Sequence, residues 1–330
     1  MPDPVKASPA KVRPGPVSPV PVDLSPHLAI EPALAANDSA AKAFKLIARS
    51  AMVQASANAA VLARARRPEA LHQLRVGLRR LRGALSLFKP MLADGEIAGV
   101  SSELKWITGE LGPARDLDVF LSDSYRPLLE PHRDWPELAN LGHVLREART
   151  KAYDRAQAAV TSSRFGVLLH DVSAWIEAGA WSADSDPKQT ALRGRPIGRL
   201  APELLDQARK RVVKHGRKLE ALTPDARHRL RIHAKQLRYA TGFFGSLYRE
   251  ETPKALKRFA EETRRVTSAL GAQTDIAVAA GLAAQVAASA PPQVAYTTGL
   301  LAAERLSGEA KAMKASLRAL KAFRKADVFW

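Results

Sequence analysis

"LHQLRVGLRRLRGALSLF", Leu71 to Phe88, holds four arginines and a histidine and no acidic residue. A second stretch, "RHRLRIHAKQLRYATGFF" from Arg227 to Phe244, repeats its pattern, a histidine followed by basic residues three, seven and ten positions later. At about 100° per helical residue, that spacing confines His72, Arg75, Arg79 and Arg82 to an arc of roughly 80°. Leu71, Leu74, Leu78, Leu81, Leu85 and Phe88 occupy the adjoining arc, so a helix here buries one flank and carries a cationic flank beside it. The second copy behaves the same way: His228, Arg231, Lys235 and Arg238 form the stripe, with Leu230, Ala234, Leu237 and Phe244 next to it.

The recurrence extends beyond these helices. "LGPARDLDV" from Leu111 is matched by "LGAQTDIAV" from Leu270 at nearly the same offset, which aligns Asp116 with Asp275. Two motifs in the same order at nearly one spacing imply a duplicated unit. The remaining segments are rich in alanine, leucine, arginine, lysine and glutamate, are separated by turn signals, and lack strand alternation. The expected fold is all-α and internally duplicated, each half an antiparallel bundle of about four helices. The halves run from about 39 to 180 and from about 200 to 330. The polar "WSADSDPKQTALRGRPIGR", residues 181–199, serves as connector. Nine of the 22 prolines fall within the first 32 residues, so residues 1–38 read as an extended tail or linker. The domain itself, 39–330, starts where Asn37 to Ser39 can cap a helix.

The net charge of +18 points to a polyanionic partner, whether nucleic acid, an anionic surface or a phosphate polymer. The chain has no cysteine, which excludes disulfides and thiolate metal sites and suits a cytoplasmic setting. No run of about eighteen apolar residues predicts a membrane span, and the N-terminus lacks the apolar core of a signal peptide. Like charges at i,i+3 and i,i+4 cost a helix a few tenths of a kcal/mol per pair. An ordinary solvated face therefore mixes in acids, as "EETRRV" at Glu261 to Val266 does. Two stripes without acids, at equivalent places in a duplicated chain, point to an anion site. If a pseudo-two-fold axis relates the halves, the stripes can face each other across one basic cleft. The block "QARKRVVKHGRK" offers supporting charge in Arg209, Lys210, Arg211, Lys214, Arg217 and Lys218.

The two basic helices, "LGPARDLDV" and the closing "ADVFW" together resemble the CHAD (conserved histidine α-helical domain) family, over roughly Ala40 to Trp330. The resemblance implies two pseudo-symmetric four-helix bundles around a basic cavity that binds inorganic polyphosphate. It also maps the family's functional side chains onto His72, Arg75, Arg79, Arg80, Arg82, His228, Arg231, Lys235 and Arg238. Members often follow a CYTH domain, whose alternating glutamate motif is absent here. On this reading the proline-rich stretch is what remains of an interdomain linker. The second copy has Gln273 and Thr274 where the first has Ala114 and Arg115, leaving Arg115 without a counterpart.

Each histidine stands alone at its helix start, without a second ligand at i+3 or i+4, so no metal is expected. No cofactor is expected either. Asp116 and Asp275 are candidates for helix caps or for holding arginines in place. The chain has no G-x-S-x-G elbow and no G-x-x-x-x-G-K-[ST] loop. The expectation is a non-catalytic polyphosphate-binding protein, with polyphosphate granules or polyphosphate-processing enzymes as its associations. Guanidinium groups suit that ligand because their planar fork bonds neighbouring phosphate oxygens. Two alternatives stand beside it. A nucleic-acid binder would need stacking aromatics or a convex basic surface. A phosphohydrolase would use Asp116 or Asp118 with a metal.

Overall fold

The computed structural model describes residues 24–92, 95–183, 186–289 and 291–330. Among them the chain forms fourteen α-helices and no strand. In order these are α1 (Ala40–Arg64), α2 (Pro68–Leu87), α3 (Ile97–Glu110), α4 (Gly112–Phe120), α5 (Arg126–Leu129), α6 (Pro136–Thr161) and α7 (Ser163–Ala178). They are followed by α8 (Ala180–Ala183), α9 (Pro187–Gly194), α10 (Ile197–His215), α11 (Pro224–Phe244), α12 (Pro253–Ser289), α13 (Pro292–Ser307) and α14 (Glu309–Lys325). The two basic stretches are α2 and α11. Each opens with proline in its first turn, Pro68 and Pro224, where no backbone donor is lost, followed by an acid that favours the positive helix end. Thr223 caps α11 by accepting from the Ala226 amide.

The apolar arcs do what the periodicity requires: Leu71, Leu74, Leu78, Leu81, Leu230, Ala234 and Leu237 are buried in one continuous core. α1 packs closely on α2. A Cβ on Gly77 would stand 2.9 Å from the Ala55 backbone nitrogen, so only glycine admits this approach without a shift. By length and composition α1 could cross a membrane, but Phe44, Ile47, Ala51 and Leu62 are buried in the core, which accounts for its apolarity.

α2 and α11 meet near their C-terminal ends. Tyr239 lies against Gly83, Gln236 Nε2 donates to Ser86 Oγ at 2.9 Å, and the rings of Phe88 and Phe244 lie edge to face at 6.2 Å. A short antiparallel bridge between Ser39 and Pro196 ties the starts of α1 and α10 together. The Ala40 amide donates to the Arg195 carbonyl at 2.8 Å and the Ile197 amide to the Asp38 carbonyl at 2.7 Å.

Three features differ from the sequence-based expectation. Residues 181–199 are more than a connector, for they hold α9 and Trp181, which is fully buried against Phe44. The expected tail lies mostly outside the described residues, but residues 24–38 are already engaged with the fold. The His27 amide and carbonyl both bond the Asn58 amide group, and the Leu34 amide donates to Ser246 Oγ. The third difference concerns the Leu-Gly motifs. The helix breaks at Leu111, with Pro113 in the first turn of α4, whereas Leu270–Gly271 lies inside the continuous α12. The second motif has Ala272 in place of proline, so every backbone donor remains available to carry the helix through.

A cationic cavity as candidate functional site

The cationic flanks of α2 and α11 face one cavity of about 1440 Å³, walled further by α4, α12 and α14. His72, Arg75, Arg79 and Arg82 line it from α2, and His228, Arg231 and Lys235 from α11. Each Leu-Gly motif sits beside the first arginine of its own stripe. Arg75 Nη1 donates to the Thr108 carbonyl at 3.0 Å and passes Gly112, while Arg231 Nη2 passes Gly271 and reaches Asp275 Oδ1 at 3.4 Å.

Positive charge dominates this enclosure. Burial, reinforced by Arg231 and Arg79, pulls the Lys235 ammonium down to about 7, with Asp275 only partly opposing it. Burial lowers Arg75 to about 10, with Arg79 adding repulsion, and it lowers Arg231 as well. His72 is lowered by burial and then by Arg115. Asp116 also lines the cavity, and burial raises its carboxyl above the usual carboxylate range despite the nearby Arg75 and Arg115. The Nε atoms of Arg79 and Arg231 are buried without a hydrogen-bond acceptor. Such groups favour any ligand that brings oxygen acceptors and negative charge.

Not every expected residue reaches this site. Arg80 points away from the cavity and is 3% exposed. Its Nη1 donates to Glu31 Oε1 at 2.6 Å and its Nη2 to Oε2 at 3.1 Å, and its guanidinium stands over the Phe243 ring. One step along a helix turns the side chain by about 100°, which takes Arg80 out of the arc that holds Arg79. Arg238 is exposed and outside the lining. Arg209 packs over Phe323 and donates to the Arg324 carbonyl, and Lys214 and Arg217 are exposed outside the cavity.

The structure adds Arg115, Lys89 and Lys311 to the lining. Arg115 lay in a quoted motif. Lys311 had its own signal, a basic stripe along α14. Neither Asp116 nor Asp275 caps a helix, since the residue before α4 is Leu111 and Asp275 lies within α12. Asp275 does hold Arg231. Asp118 is buried, accepts from Arg149 Nε and from the Tyr153 hydroxyl, each at 2.7 Å, and does not line the cavity. Among the described residues no group of three or more histidine, cysteine, aspartate or glutamate side chains is placed to hold a metal ion. The closing Phe329 and Trp330 dock on Phe259, and Trp330 Nε1 donates to Asp206 at 3.1 Å.

The fold has known relatives. The fold superposes on the crystal structure of the CHAD domain from the plant Ricinus communis with a TM-score of 0.77 and 26% identity, covering 92% of this chain and 99% of that one. It also superposes on PptA from Streptomyces chartreusis with a TM-score of 0.61 and 21% identity, covering 86% and 100%, a likeness of fold alone. No curated protein matches the chain. The CHAD domain family model matches residues 46–284, most of the chain, and the protein belongs to the CHAD domain family.

Proposed function

We propose that the cavity binds inorganic polyphosphate and performs no chemistry on it. The observation that carries this reading is the convergence of two basic stripes, from distant parts of the chain, on one enclosure where the cations outnumber the carboxylates. A phosphate chain supplies charge at every repeat and acceptors for guanidinium forks. It is also narrow enough for a concave site. Duplex nucleic acid would instead need basic side chains on a convex surface that reach base edges, and the cationic stripes line a concavity. A phosphohydrolase would need carboxylates free to hold a metal; Asp118 is already bonded to Arg149 and Tyr153, and Asp116 stands among Arg75, Arg115 and Arg231. Association with polyphosphate granules or polyphosphate-processing enzymes follows from this reading as part of the proposal.

Calorimetric titration with long-chain polyphosphate, with duplex DNA of equal total charge as competitor at matched salt, tests it. Polyphosphate should bind far more tightly, and both affinities should weaken as salt rises. Equal affinity for the two polymers would favour the nucleic-acid reading. Release of phosphate that depends on a divalent metal would favour the phosphohydrolase.

A further inference from the structure

α14 repeats outside the cavity the spacing that marks the helices inside it. Lys311, Lys314, Arg318, Lys321 and Lys325 fall at intervals of three, seven, ten and fourteen positions. At about 100° per residue they share an arc of roughly 80°, as the α2 stripe does. The other side of α14 is buried through Ala312, Ser316, Leu320 and Phe323. Lys311 lines the cavity and is exposed, which places it at the rim, and the four cations beyond it are exposed too.

Among the described residues none of the five pairs with a carboxylate; the helix's one acid, Glu309, precedes the stripe and pairs with Arg227 at 3.5 Å. A helix face that is merely solvated usually interleaves acids for i,i+4 pairing. The far end of α14 lies on α10: Arg324 Nη2 donates to the Gly216 carbonyl at 2.6 Å, and Leu320 packs against Gly216. Arg217 and Lys218 follow Gly216 directly, so a second group of exposed cations stands beside the far end of α14, about 21 Å of helix from Lys311.

We infer that α14 is an external track for the length of polyphosphate that extends beyond the cavity. The inference rests on the polyphosphate reading of the cavity. A short polymer is held inside, and a long one gains further contacts along Lys314, Arg318, Lys321 and Lys325. Because these side chains are exposed, each contributes little and is readily screened. The gain accumulates with length.

The test uses the full chain and calorimetry with two probes, tripolyphosphate and long-chain polyphosphate, at two salt concentrations. Replacing Lys314, Arg318, Lys321 and Lys325 together with alanine should weaken long-chain binding about tenfold. The same change should flatten its salt dependence and leave tripolyphosphate affinity unchanged. A glutamine set gives the same result by a second route, and an unchanged melting temperature certifies the fold. Unaltered long-chain affinity in both sets overturns the track while leaving the cavity reading intact. Conversely, if Arg79→Ala/Lys235→Ala binds both probes as the parent does, the cavity reading fails first. A quadruple variant that loses affinity for anionic phospholipid vesicles but not for long-chain polyphosphate would assign the stripe to a membrane surface and overturn the inference.

Discussion

The two sides of α2 carry adjacent arginines with opposite surroundings. Arg79 faces the cavity among Arg75, Arg231 and Lys235, and among the described residues no carboxylate pairs with it. Arg80 faces the other way and is sealed by Glu31, 49 residues earlier in the chain, and by the Phe243 ring. The same residue type is thus a source of unspent positive field on one side and a structural tie on the other. What separates them is the partner, and the partner of Arg80 belongs to a segment that local sequence reading assigned to a tail. Charge alone marks neither role.

The largest effect that could break this comparison is on binding. Arg79→Ala/Lys235→Ala removes two charge-assisted contacts worth about 1.5–3 kcal/mol each. Affinity for long-chain polyphosphate should therefore fall by at least about a hundredfold. Helicity should hold and the melting temperature should stay or rise slightly, because both groups repel their neighbours in the free protein. An unfolded double variant whose folded fraction still binds normally would make these side chains structural ones.

The opposite pattern is expected on the other side of α2. Glu31→Ala leaves a buried guanidinium without its carboxylate. Removing one partner of a fully buried pair costs about 3–5 kcal/mol. With the Glu31 side chain 38% exposed, a loss of about 2 kcal/mol in denaturant unfolding is the discounted expectation. Polyphosphate affinity per folded molecule should not change. Loss of affinity at full stability would place Arg80 in the site after all.

The packing that holds α2 in place gives a smaller handle. Gly77→Ala pushes a methyl group to within 2.9 Å of the α1 backbone, and overpacking of this kind costs about 1–3 kcal/mol. The value should fall near the lower end, because one methyl group is added and two helices can part slightly. Chemical denaturation reads it directly, and no loss would mean that α1 and α2 stand farther apart than the 2.9 Å approach requires.

These side chains also mark how far the sequence could be read. Helical periodicity carried the fold class and the burial of α2 and α11, because a repeating 100° step fixes which side chains share a face. It gave angle but not height or neighbours. Arg82 and Arg238 hold equivalent angles, yet only Arg82 lines the cavity. The two Leu-Gly motifs align in sequence, yet Pro113 opens α4 after a break at Leu111, whereas Ala272 lets α12 run through Leu270–Gly271. The basic block of α10 looked like site material by composition, but Arg209 is taken up by Phe323 and the Arg324 carbonyl. Arg115 was visible in its motif but had no counterpart to vouch for it. The α14 stripe was legible by the same spacing rule that exposed α2, and only the cavity wall reveals why Lys311 matters.

The smallest expected signal is a proton count, and it sharpens the contrast most. In the free protein, burial and like charge hold Lys235 near 7, far below its ordinary 10.5. Between those values the unfolded chain binds the proton and the folded one does not, so this group makes stability rise with pH across the window. A bound polyanion reverses the balance, since phosphate oxygens favour the ammonium form and move the group back toward its ordinary value. Binding near pH 8 should therefore take up a proton, at most about one per complex from this group. Calorimetry in two buffers of different ionisation enthalpy at that pH reads the uptake as a buffer-dependent heat. Lys235→Arg should bind well and lose that uptake, because a guanidinium stays charged throughout the window. Buffer-independent heats in the parent protein would mean that Lys235 is protonated before the ligand arrives, and the cavity would then hold its charge with less strain than the geometry implies.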